Sequence, residues 1–477
     1  MPLYDKAFWG ILFLTAGIIA AAVPLRPAVF IAAAFILFSA AFLAALLSDF
    51  SSRRLWLAGL TLLSLVGYGY SFAISDLNKE NLPTAGIPIS LTGTVVGGTL
   101  SYERSESFLL RLNSPYRGLV SVYVNQTENL TRGDRLSVTG VLFISPSGRP
   151  LIRWPSVSIL EHPRGFLNLL SRLRQNIIDS FRRALPPAPA ALLSGLVLGD
   201  RSGFTPAFRD SLATSGTTHL VALSGYNITI LISAFGAALG AWLSRRLTFI
   251  ATFTAIVFFV IMVGPEPSIV RAAVMGGIAL LALAYGRLYS VRNAIAVSAL
   301  LMLIADPSAF FSVGFELSFL ALLGIVYLMP ALSELLGWDE KTSNSFFNWR
   351  GHLLTTISAQ LAVAPLLFYY FHSVSVLSIL SNLLVLGTVP YTMFFGGLLA
   401  AAGIFGAAGN LLTEFISLPA NLILTYQIGV IEFFSSLSFG RLSSEFGRLG
   451  LLLAFLYYLA LVLIIIRYYH SLRPPLK

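Results

Sequence analysis

The chain has 477 residues, 56% of them hydrophobic and only 11% charged, with a mean hydropathy of +0.81; water-soluble domains carry about twice that share of charge, so a soluble globular fold is excluded and a polytopic α-helical membrane protein is expected. It contains no cysteine, which rules out disulfides, thiolate metal sites and cysteine nucleophiles. A net charge of +10 is what Lys and Arg on cytoplasmic loops supply under the positive-inside rule, and it also suits a polyanionic partner.

Residues 7–23, 28–47 and 55–75 are apolar runs of membrane-spanning length. Ala20-Ala21-Ala22 mimics a signal-peptidase site, but the next apolar run follows at once, so an uncleaved anchor is expected. Arg53 and Arg54 against the single Arg26 place the amino terminus in the cytoplasm and residue 76 outside. The three runs make an N-terminal transmembrane unit over 1–75.

Over 76–163 charges return, with turn residues between short β-rich runs: Ile89 to Val96, Phe108 to Leu112, Leu119 to Val124, Arg135 to Phe143 and Leu151 to Leu160. Five strands of this length suit a small OB-type β-barrel, inserted as a soluble extracytoplasmic domain. Its acidic and basic residues nearly balance, so it shows no electrostatic footprint for nucleic acid. Residues 164–185 carry Phe166, Leu169, Leu170, Leu173, Ile177, Phe181 and Leu185 at helical spacing, an amphipathic helix expected to lie along the membrane surface until Pro186 and Pro187 end it.

The rest, 186–477, is a second transmembrane domain. Ala191 to Leu198 is apolar but too short to cross, hence re-entrant or interfacial. The stretch Thr214 to Leu231 has an apolar background interrupted by Ser215, Thr217, Thr218, His219, Ser224 and Asn227, with Gly216 and Gly225 to break the helix. Unpaired polar groups cost several kcal/mol in hydrocarbon, so such a segment faces a bundle interior or a wet cavity. Arg245 with Arg246, and Arg287 with Arg292, mark cytoplasmic turns; Glu266, Arg271 and Glu316 are charges at membrane depth, read as a conduit or as an ion pair of Arg271 with Glu316. Phe368 to Phe371 reads as an aromatic interface belt. Beyond residue 350 the number of crossings is open, and Arg467, Arg473 and Lys477 argue for a cytoplasmic carboxyl terminus.

No Gly-Lys-Ser/Thr phosphate loop occurs, so nucleotide hydrolysis is not expected. The five histidines are scattered, with no HExxH or related set, so neither a metal nor any other cofactor is expected. His219 and Ser224 lie five residues apart, about 140° around a regular helix, which weakens an intramembrane serine-hydrolase reading.

Four stretches, LLSGLVLGDR (Leu192 to Arg201), HLVALSGYNI (His219 to Ile228), IVRAAVMGGIALLALAYGR (Ile269 to Arg287) and DPSAFFSVGFELSFLA (Asp306 to Ala321), resemble the membrane channel of ComEC-type competence proteins. The preceding layout of spans, OB-type domain and amphipathic helix fits as well. Two positions depart from the family pattern: Asn227 stands where His is frequent, and Glu316 where Gln is usual. The resemblance is to a form without the C-terminal metallo-β-lactamase-like domain, which implies a separate nuclease for the discarded strand. It implies a channel for single-stranded DNA in the inner (plasma) membrane, not an enzyme, in contact with membrane lipid, an external DNA receptor protein and a cytoplasmic helicase-type motor, with homo-oligomers allowed. Arg201, Arg209, His219, Ser224, Asn227, Arg271 and Ser318 are then the expected DNA-path residues, with Glu316 orienting Arg271. The rivals are a transporter or flippase for a small anionic or lipid-linked substrate, and the hydrolase.

Overall fold

The computed structural model describes residues 3–22, 52–77, 81–96, 100–101, 106–125, 130, 133–145, 150–162, 165–221, 223–338, 349–375, 377–404, 410–437, 441–443 and 448–471. The expected span 28–47, Arg26, Arg473 and Lys477 lie outside the described residues. Among the described residues the first elements are two apolar helices, α1 (Leu3–Ala22) and α2 (Ser52–Leu77).

The inserted domain is built from β1 (Pro88–Val95), β2 (Leu100–Ser101), β3 (Glu106–Leu112), β4 (Leu119–Val124), β5 (Arg135–Ile144), β6 (Pro150–Arg153) and β7 (Ser156–Glu161). Strands β1, β3, β4, β6 and β5 pair in that order, and β5 pairs back with β1, so five strands close into a ring. Only the β4–β6 pair within it is parallel. Alternation does the sorting: Val120, Val122 and Val124 of β4 point inward with Leu110, Leu136, Val138 and Ile152, while Leu109 and Leu119 stay exposed. The small barrel expected from the turn signals is therefore present. The run Leu151 to Leu160, read as one strand, is interrupted at Trp154 (φ 54) and Pro155, since proline gives no ladder N–H; the two pieces pair with successive stretches of β5.

Among the described residues, fifteen helices and one further strand pair follow the barrel. They are α3 (Phe166–Ala184), α4 (Pro187–Leu198), α5 (Pro206–Ser215), α6 (Thr218–Val221), α7 (Gly225–Gly240), α8 (Arg245–Val263), α9 (Pro267–Ala284) and α10 (Val291–Ala305). After a 3-10 turn (Pro307–Phe311) come α11 (Val313–Leu323), continued through a π turn (Gly324–Leu328) into α12 (Met329–Leu335), and α13 (Trp349–Phe371). Strand β8 (Ser373–Ser375), α14 (Ser378–Leu386), α15 (Val389–Ile404), α16 (Asn410–Ser436), β9 (Arg441–Ser443) and α17 (Arg448–Ser471) follow, β8 pairing with β9. Five spans among the described residues are long and apolar enough to cross a membrane: α8, α9, α11 with α12, α13 and α16; α14 and α15, bent by 47°, make a sixth. The chain is a polytopic helical membrane protein carrying a small barrel.

The core forms around α4, whose Leu192, Leu193, Leu196 and Leu198 are buried against α15 and α16. The short apolar run is thus surrounded by protein. Helix α3 uses its second half the same way, burying Ile178 and Phe181, while Phe166, Leu167 and Leu169 remain exposed and the Phe166 ring meets Phe258 at 5.4 Å.

Charge sorts the two ends of the bundle. Arg245, Arg246, Arg287 and Arg292 gather where α8 and α10 begin and α9 ends; the Arg246 guanidinium lies 5.7 Å from the Tyr285 ring and that of Arg292 4.4 Å from Phe8 of α1. Glu266 and Asp306 stand at the opposite end. The Tyr70 hydroxyl of α2 donates to the Ile304 carbonyl there, so α1 and α2 run parallel and α2 leads into the barrel from the carboxylate end.

Pro365 inside α13 deprives the Leu361 carbonyl of its partner one turn on, and the Tyr457 hydroxyl of α17 donates to that carbonyl at 2.8 Å. Tyr458 donates to Ala362 next to it at 3.1 Å. A helix defect is repaired by a neighbouring helix.

Candidate functional site

The segment too polar for lipid is broken into short pieces. Helix α5 ends at Gly216 in the left-handed region (φ 74), α6 lasts four residues, and α7 starts only at Gly225. The break has sequence causes. Thr217 N–H and Gly216 N–H close the end of α5 on Leu212 and Ala213, and Ser224 stops α6 from continuing by accepting from Asn227 N–H as the cap of α7.

Two of the expected residues sit at the junction of α4 with α7. Asn227 is 2% exposed; its Nδ2 donates to the Leu196 carbonyl at 2.9 Å, one of the carbonyls left over at the end of α4, and its Oδ1 accepts from the Ser224 hydroxyl at 3.2 Å. The positive end of α7 and the negative end of α4 are thereby stitched by one amide. Arg271, in the second turn of α9, lies against the same α7 start: a Cβ on Gly225 would come within 3.0 Å of its Nη2. Its Nη1 donates to the Ser318 carbonyl, and its guanidinium faces the Phe319 ring at 5.6 Å. Ser318 therefore contributes its backbone oxygen to this contact. Ser268, one turn before Arg271, donates to the Leu223 carbonyl at 2.9 Å and ties α9 to the break.

The ion pair expected between Arg271 and Glu316 is absent among the described residues, whose pairs are His162–Asp134, Arg174–Asp200 and Arg182–Asp179. Glu316 instead accepts from the Tyr370 hydroxyl of α13 at 2.8 Å, and Arg271 is occupied by the α11 carbonyl and ring, so each found a nearer partner. One member of the aromatic run thus has a polar duty inside the bundle. The guanidinium at the start of α7 has no carboxylate within ion-pair reach among the described residues.

The remaining expected residues form separate groups. Arg209 donates to the Arg201 carbonyl at 3.1 Å, next to Asp200, which accepts from Ser202 at 2.9 Å and faces Arg174 of α3 at 3.5 Å. His219 is exposed and its Nδ1 meets the Gly216 carbonyl at 3.2 Å. The serine's own partner is the Asn227 amide, which is no base.

Across from Gly216 stands a group that the sequence did not single out. Ser381 of α14 donates to the Ser215 carbonyl at 2.8 Å, Ser215 and Thr217 share a 2.7 Å bond, and Ser378 packs on Gly216, where a Cβ would fall 2.4 Å from its own. Ser375 and Asn382 are buried beside them. Gln427 of α16, fully buried, donates at 2.8 Å to both Thr388 and Thr392 across the α14–α15 bend. Ser375, Ser378, Ser381, Asn382 and Gln427 are each a lone or paired polar residue in an apolar setting, a weak signal until its opposite number is known. Among the described residues, no group of three or more His, Asp or Glu side chains could hold a metal ion.

From Leu196 onward these elements fall within the region matched by a family model described as "Competence protein", which covers residues 196–470; α3 and most of α4 precede it. ComE operon protein 3 of Bacillus subtilis (strain 168) is 29% identical over 242 residues, which is 50% of this chain and 29% of that protein. The chain thus matches less than a third of that relative's length. No solved structure matches.

Proposed function

The chain belongs to the Competence protein family, and on that premise we propose that it is a membrane channel carrying single-stranded DNA into the cytoplasm during natural transformation. The observation that carries the reading is the uncompensated Arg271 guanidinium at the amino-terminal end of α7. A cation without a carboxylate, beside a positive helix end and in apolar surroundings, favours an anion, and phosphate is the anion a strand presents repeatedly. Ser224 and Asn227 hold the start of α7 in place beside it and the Ser318 carbonyl fixes its guanidinium; His219, Arg201 and Arg209, in separate groups, are read as further contacts along the path. Low total charge is compatible with transport, since a string of tight cation sites would hold a strand that has to slide.

The sorting of Arg residues to one end supports an orientation with that end in the cytoplasm of a plasma-membrane protein. Arg271, the α7 start and the exit of α2 into the barrel then share the outer side, so the OB-type domain stands outside the cell, before the Arg271 end on the strand's route. Energy and capture are assigned in this reading to a cytoplasmic helicase-type motor and an external DNA receptor.

The test is uptake of labelled DNA after deletion and after Arg271→Ala, together with binding of single-stranded DNA by the purified protein across a salt series. Loss of one phosphate contact lowers the slope of log affinity against log salt by about 0.7. Full uptake in both strains, or an unchanged slope, would overturn the reading.

A further inference from the structure

Gly216 and Ser378 mark a place where two interrupted helices cross: the α5–α6–α7 break on one side, and the start of the bent α14–α15 pair on the other. Ser381 to Ser215 pins the crossing. Two side chains there are out of keeping with a finished contact. Asn382 is 3% exposed and its Oδ1 has no hydrogen-bond partner among the described residues; Ser375 is 8% exposed and its Oγ has none either. Asn382 lies four residues after Ser378, hence on the face that α14 turns to Gly216, and the Ser375 Cβ would stand 3.1 Å from a Cβ on Gly216. Leucine and alanine would fill the same space without the cost of stranded polar atoms.

Broken helices meeting at a polar crossing are where membrane transporters hold their cargo. The chemistry here differs from that of the Arg271 end: hydroxyls and one carboxamide, with no cation. Uncharged donors and acceptors match the edges of nucleobases, whereas phosphates call for the guanidinium. Resting on the channel reading above, we infer that Ser375 and Asn382 form a second, neutral seat that hydrogen-bonds the base edges of the strand whose backbone Arg271 engages. The two seats lie at either end of the segment Gly216 to Gly225, so the break carries one contact for each half of a nucleotide.

The test uses the full chain in lipid nanodiscs with two fluorescent probes, oligothymidylate and an abasic phosphodiester of the same length. Asn382→Leu, close in volume and free of the stranded oxygen, weakens oligothymidylate by about tenfold and leaves the abasic probe unchanged, as expected for one lost polar contact. Arg271→Ala weakens both. Equal loss of both probes in Asn382→Leu, or no loss of either, overturns the neutral seat while leaving the channel reading intact; wild-type protein that binds neither probe overturns both. Folding is checked independently, because the chain has no cysteine: Asn382→Cys carries the sole thiol. The seat requires that this thiol react with a water-soluble maleimide and that oligothymidylate slow the reaction; a thiol that stays unreactive in folded protein counts against it.

Discussion

Tyr457→Phe isolates a single hydrogen bond whose need is set by the backbone. Proline at 365 leaves the Leu361 carbonyl without a helical donor, and Tyr457 supplies one at 2.8 Å. A stranded acceptor costs about 1–3 kcal/mol, while interhelical hydrogen bonds inside membranes average roughly 0.6 and reach about 1.7, so a loss of about 1 kcal/mol is expected. In a Pro365→Ala background the N–H of residue 365 takes back the carbonyl, and the same Tyr457→Phe change then costs close to nothing. Tyr458 provides the control: its acceptor, the Ala362 carbonyl, still has the N–H of Leu366 one turn on, so Tyr458→Phe is mild in both backgrounds. Reversible unfolding by SDS in mixed micelles measures all four combinations as a double-mutant cycle. If Tyr457→Phe costs the same with and without Pro365, or no more than Tyr458→Phe, the carbonyl accounting is wrong.

Asn227→Ala strands the Leu196 carbonyl inside the α4 core and is expected to lower stability by about 1–3 kcal/mol in the same micelle titration; an unchanged midpoint would mean that the stitch between α4 and α7 is dispensable. Gly216→Ala combines a left-handed backbone (φ 74) with a Cβ only 2.4 Å from that of Ser378, so a fall of at least about 1 kcal/mol and a lower folded yield by gel filtration are expected, against no change if the crossing can slide apart. Glu316→Gln keeps an acceptor for Tyr370 and removes a negative charge that Arg271 does not use; the folded yield should hold, and affinity for single-stranded DNA should rise at low salt with the gain vanishing at high salt. Weaker binding in that variant would restore a charge role for Glu316.

Residues whose chemistry clashes with their surroundings are legible in the sequence alone. The hydroxyls, His219, Asn227 and Arg271 announce themselves against hydrocarbon, and the barrel announces itself by alternation and turns. What stayed hidden depends on partners far along the chain. Ser381 and Asn382 are unremarkable in a run such as Ser-Ile-Leu-Ser-Asn-Leu-Leu, because one hydroxyl can always bond its own helix; only the approach of Ser215, 166 residues away, gives Ser381 a distinct task. Pairing is hidden in the sequence for the same reason. Arg271 and Glu316 are opposite charges at similar depth, yet Tyr370 and the Ser318 carbonyl were nearer, and proximity is decided by packing. Gln427 gives no hint in the sequence of the two threonines across a bend to which it donates.

The ring of five strands has a practical corollary. Its interior is filled by its own side chains, and each of its members finds both neighbours within residues 88–153, so no hydrogen-bonded edge is borrowed from the lipid-embedded part. A fragment spanning 81–162 is therefore a candidate for preparation in plain buffer, where crystals, titrations and isotope-labelled spectra can be obtained without detergent.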